Sequence, residues 1–220
     1  GLAKVLFPVL SAGRTDHEAF RDALARVTVI AGKLVLPVGV GMAVAAPELV
    51  AVLLGDQWHE ASPVLAFLAI AMSMNVLATF PGIALESLNV LRGKAIVQAV
   101  YAATLVAALS ILLAAGPLEL VHVAIVMTVA NVVRVGTYFG LGVRAGALRG
   151  SDVARIVAAF AASSAVALVA IGGVTVLARQ AGGGDVVTLL AAVGAGAVVL
   201  ALLFRSEIGN LLRPARRTRP

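Results

Sequence analysis

Ionisable and amide side chains set into long apolar runs are costly to place, so they mark where chemistry is to be sought first. Arg134 is the most prominent: Asn131 precedes it by three positions and Tyr138 follows by four, so on a helix the three side chains stand near one face. A guanidinium on such a face suits an anionic group such as a phosphate. The alternative is a long side chain that snorkels to headgroups about seven residues away, roughly 10 Å at 1.5 Å per residue. Lys33 and Asn75 interrupt two other apolar runs and complete the set of polar candidates for a substrate cavity. Pro37, with Gly39 and Gly41 close behind it, and the pair Pro81-Gly82 would each interrupt a helix; in membrane proteins such breaks line cavities or act as hinges.

Other chemistries lack their residues. Without cysteine there is no disulfide, thiolate ligand or cysteine nucleophile. His17, His59 and His122 are far apart in sequence, fall near the ends of apolar runs and have no metal-ligand spacing. No Gly-x-Ser-x-Gly, Walker A or Asp-x-Asp pattern occurs, so no catalytic residue, metal or cofactor is expected. A membrane enzyme would need a His/Asp or paired-carboxylate constellation at one membrane face, and none is present in the sequence.

The elements that must carry these residues follow from composition. Of 220 residues 61% are hydrophobic and 13% charged, and the mean hydropathy is +1.04, leaving too little polar surface to coat a soluble globule. The apolar blocks are about 20 residues long, the thickness of a bilayer in helix, and lack the strict alternation of barrel strands. The fold class is therefore all-α, a polytopic transmembrane bundle. Six spans are expected over about 27–52, 61–85, 95–115, 119–141, 153–178 and 186–204. Residues 1–11 read as the end of a truncated transmembrane helix, and 12–26 as an amphipathic surface segment opened by the capping box Thr15-Asp16-His17-Glu18. Ser151-Asp152 offers an N-cap for the fifth span, and Gly136-x-x-x-Gly140 a small-residue packing face on the fourth.

Charge sets the orientation. Arg14, Arg21 and Arg26, then Arg92 and Lys94, then Arg144, Arg149 and Arg155, then the basic tail 205–220 occupy every second connection, whereas the intervening connections carry only Arg179. By the positive-inside rule the arginine-rich set is cytoplasmic, the C-terminus included. The net charge of +6 thus reflects topology and anionic lipid, and no nucleic-acid partner is expected. Trp58, in Gly-Asp-Gln-Trp-His-Glu on the opposite side, fits an interfacial belt.

Several short runs carry a family resemblance. Leu6-Phe7-Pro8-Val9-Leu10-Ser11, the basic loop with Asp16, Pro37-Val38-Gly39 and Leu54-Gly55-Asp56-Gln57-Trp58 resemble the second half of polysaccharide-transporter proteins. These are the lipid-linked oligosaccharide flippases and polysaccharide-export proteins of the multidrug/oligosaccharidyl-lipid/polysaccharide flippase superfamily. The resemblance is clearest over about residues 5–95. It implies a two-lobed transporter around a central cavity in the bacterial inner membrane. Residues 27–141 would then be four helices of the C-terminal lobe, and 153–204 two further helices. The other lobe would be a missing N-terminal portion of the same chain. The implied function is translocation of a lipid-linked oligosaccharide or polysaccharide precursor by alternating access; cationic cavity residues would suit its pyrophosphate headgroup, and Arg134 is the candidate by its position in the span, not by a matched motif.

Two alternatives differ in what they require. A cation-coupled multidrug exporter of the same superfamily prefers acidic residues within its spans, and Glu86 alone lies near a span interior in the expected layout. A non-transporting membrane subunit of a polysaccharide-assembly complex requires no polar cavity.

Overall fold

Backbone N–H and C=O groups inside lipid must be satisfied within their own segment, and the apolar runs of this chain meet that demand as helices. The computed structural model describes residues 17–211, with side chains from Glu18 to Arg205. It contains α1 (His17–Val44), α2 (Ala46–Leu54), a 3-10 turn (Asp56–Ala61), α3 (Ser62–Ser87), α4 (Leu91–Ala115), α5 (Leu120–Arg144), α6 (Gly150–Gln180) and α7 (Asp185–Leu211). No strand occurs among the described residues. Six helical segments are long and apolar enough to cross a bilayer, as the hydropathy blocks require. The expected helix end at 1–11, Thr15 of the capping box and the tail beyond 211 lie outside the described residues.

The first span departs from expectation in two ways. The segment expected at the membrane surface is, from residue 17 onward, the first part of α1, and Phe20, Leu24 and Ala25 are buried in the protein core. The same span does not continue to residue 52, because α1 stops at Val44 and α2 begins at Ala46, with Pro47 in its first turn. Pro47 has no N–H for the carbonyl four residues back, so the helix is broken there. Pro37 and Pro81, where interruptions were expected, lie inside unbroken helices and are fully buried.

Helix ends reveal further devices. The fifth span begins at Gly150 with Arg149 as its cap residue, so Ser151 does not cap it. Asp152 instead accepts from the Arg149 backbone N–H at 3.2 Å. At the start of α5, the Glu119 N–H donates to Nδ1 of His122 at 3.3 Å within a capping box, which gives that histidine a structural task. Asn89 ends α3 with φ 58°, a left-handed conformation that asparagine tolerates.

Packing follows a row. α5 lies against α3, α3 against α1, α1 against α6, and α6 against α7, while α4 leans mainly on α5 at the edge. Close approach within the row depends on small residues. A Cβ at Gly39 of α1 would fall 2.0 Å from Ser73 Oγ on α3, and one at Gly32 would fall 1.9 Å from the Phe160 ring on α6. By contrast a Cβ at Gly136 or Gly140 meets nothing within 4 Å, so that small-residue face is unpacked in the described chain.

The core is split between the two ends. One cluster joins Phe20, Leu24, Leu85, Val97, Phe139, Leu148 and Ile156 where the arginine-rich connections gather. The other joins Ala45, Ala167, Ile171, Ala192 and Val199 toward the opposite end. At the first end, Arg21 donates to the Gly146 carbonyl, Arg149 to Glu18 at 2.6 Å and Lys94 to Glu86. Arg21, Lys94 and Arg149, drawn from three separate basic connections, thus meet the arginine-rich end of the bundle, which is the alternation the charge pattern demands.

Candidate functional site

Arg134 is held from three sides at mid-depth. It stands ten residues before the end of α5 at Arg144, about 15 Å at 1.5 Å per residue, because α5 runs further than the expected span. Its Nη1 donates to Oδ1 of Asn75 on α3 at 2.8 Å. Its guanidinium carbon lies 5.1 Å from the ring centre of Tyr101 on α4 and 5.9 Å from that of Tyr138 on α5. These are cation–π distances, and the contacts strengthen where water is scarce. Asn75 and Tyr101 are twelve and ten residues from the same ends of their own helices, so the group is level across three elements. The side chain is thus directed sideways, toward α3 and α4.

Neither Arg134 nor its neighbour Asn131 is fully satisfied. Arg134 Nε is buried without a hydrogen-bond partner, and no carboxylate pairs with the guanidinium among the described residues. Asn131, 3% exposed, donates its amide to the Met127 carbonyl at 2.9 Å and leaves Oδ1 without a donor. Buried polar atoms are normally paired, so unpaired ones beside an uncompensated cation point to a ligand or water. Tyr138 is 1% exposed and packs against α3 at Gly82, where a Cβ would stand in ordinary contact with its hydroxyl at 3.4 Å.

The remaining candidates separate. Lys33 is on α1, which packs on α3 and α6, and it shares none of the contacts of Arg134. Asn75 and Tyr138 both contact Arg134, while Asn131 stands three residues before it on α5 and bonds to Met127. Tyr101 was missed, since its helix is remote in sequence; the available signal was a tyrosine well inside an apolar run. Glu86 is half-buried and paired with Lys94 across the α3–α4 turn, so it is not a lone acid within a span. Glu48, also missed, is buried and bound by Arg179.

An apolar groove of about 420 Å³ opens between α1 and α3, lined by Leu34, Val38, Met42, Leu68, Met72 and Val76 among others. Asn75, Tyr101, Asn131, Arg134 and Tyr138 are not among the residues that line it. No metal-holding cluster of His, Asp and Glu occurs among the described residues.

No curated protein and no solved structure matches the chain. Residues 1–63 match the family model described as polysaccharide biosynthesis protein, and both Phe-Pro-Val-Leu-Ser at 7–11 and Gly-Asp-Gln-Trp at 55–58 fall inside that match.

Proposed function

We propose that this chain is part of an inner-membrane transporter that moves a lipid-linked oligosaccharide or polysaccharide precursor across the bilayer by alternating access. The family match and the six apolar helices fit a membrane protein of polysaccharide biosynthesis. The observation that carries the finer reading is Arg134, a cation well inside α5 with no carboxylate partner among the described residues and an unpaired Nε. A (pyro)phosphate headgroup supplies the missing charge and acceptors, and the apolar groove between α1 and α3 offers hydrocarbon to its lipid chain. Asn131 Oδ1 is left as an acceptor for a sugar hydroxyl or water. The cation-coupled exporter gains no support from the acids near the spans, because Glu48 is bound to Arg179 and Glu86 to Lys94.

The test is translocation of a polyprenyl-pyrophosphate-linked saccharide in sealed vesicles, with Arg134→Gln and Arg134→Lys variants checked for insertion and thermal stability. A charge-assisted hydrogen bond contributes about 1.5–3 kcal/mol, so Arg134→Gln is expected to lower transport by about tenfold or more. Lysine keeps the charge without the planar fork and restores only part. Normal transport by a stable Arg134→Gln variant would refute the assignment.

A further inference from the structure

The joint between α1 and α2 keeps backbone bonds from Ala45 to the Gly41 carbonyl at 3.0 Å and from Leu49 to the Ala45 carbonyl at 2.9 Å, and it is also bridged by a side chain from another helix. Pro47 removes one bond of the joint, the donor to the Ala43 carbonyl, and Glu48, in the first turn of α2, is 3% exposed. A carboxylate so buried requires a partner. Arg179, in the last turn of α6, provides one with both prongs: Nε donates to Glu48 Oε1 at 2.6 Å and Nη2 to Oε2 at 3.0 Å. The same Nη2 lies 3.4 Å from the Val44 carbonyl at the end of α1. One guanidinium therefore touches both sides of the joint.

The register of the pair reinforces this. Arg149 and Arg179 stand at the two ends of α6, thirty residues apart, and they meet Glu18 and Glu48, also thirty apart. α6 thus runs alongside α1 and is fastened at both ends. The two fastenings differ in kind: Glu18 is 77% exposed, where an ion pair contributes little, whereas Glu48 is enclosed. Beneath the enclosed pair lies a cavity of about 320 Å³ between α1, α2, α6 and α7, bordered by Ala45, Leu49, Ile171 and Ala192. Small side chains and free volume leave α2 space to move if the pair opens.

We propose that Glu48, Arg179 and the Val44 carbonyl form a latch that fixes the α1–α2 joint and couples it to the α6–α7 hairpin. While the latch is closed, α2 cannot change its angle to α1 without carrying α6 along. This holds whatever the protein carries, so its failure and that of the transport reading are separable.

The cysteine-free chain allows a direct test. Spin labels at Val52→Cys on α2 and Val169→Cys on α6, both exposed, report the distance between the two helices. The parent protein is expected to give one narrow distribution. Glu48→Gln and Arg179→Gln are each expected to give one about twofold broader or shifted, as for a freed hinge. Their combination is expected to add nothing further, while Arg149→Gln at the exposed pair leaves the distribution narrow. Should either glutamine variant fail to fold, Arg179→Lys keeps the charge but loses the two-pronged contact and is expected to broaden the distribution. A distribution that stays narrow and unmoved in every folded latch variant overturns the proposal.

Discussion

An arginine side chain in the middle of a bilayer is tolerated only where the protein gives it partners or purpose, and Arg134 has some of the first and room for the second. Its face on α5 was legible in the sequence, because three-and-four spacing is a property of the helix itself. Which way the guanidinium turns was not, since Asn75 and Tyr101 come from other helices and only tertiary packing brings them within reach. Asn131 illustrates the same limit: its position on the face was readable, but not that its amide would bond back to Met127 and leave Oδ1 unpaired. The rings orient the cation through their faces, so Tyr101→Phe is expected to transport nearly as well as the parent. Tyr101→Leu, which loses about 1 kcal/mol of cation–π attraction, is expected to run about fivefold slower in the same vesicle assay. A leucine variant as active as the phenylalanine one would remove Tyr101 from the site.

Among the elements, proline behaves according to its surroundings. Pro37 and Pro81 are buried inside helices that continue past the missing bond. Pro47 lies near the end of the bundle, where the chain can turn and where Arg179 reaches the adjacent Val44 carbonyl and Glu48. Sequence marks the prolines but not the packing that decides between these outcomes. The glycines carry their meaning more plainly in the structure than in the sequence: Gly32 and Gly39 of α1 are contact points, while a Cβ at Gly136 or Gly140 of α5 would meet open space. Gly39→Ala places a methyl against Ser73 and within 3.1 Å of the Ala69 carbonyl, and overpacking of this kind costs about 1–3 kcal/mol. Thermal unfolding in detergent is expected to show a lower midpoint for Gly39→Ala and partial recovery in Gly39→Ala/Ser73→Gly. An unchanged midpoint in the single variant would mean that α1 and α3 do not pack at this point.

At the scale of the whole molecule, the span count was readable because hydropathy blocks and loop charges are independent signals that gave one topology. The row of helices and its division into two cores were not, since lipid-facing and protein-facing residues are similarly apolar here. Large exposed side chains such as Leu53, Ile111, Leu120 and Val169 make that ambiguity concrete. The account rests on a chain that threads the bilayer six times, with its arginine-rich connections on the cytoplasmic side. Single cysteines in the otherwise cysteine-free chain test this most directly, with a membrane-impermeant thiol reagent applied to intact cells. E60C and G184C are expected to react from outside, and R92C and S151C only after permeabilisation. Reaction of E60C and S151C from the same side would contradict the topology and the transport pathway drawn through it.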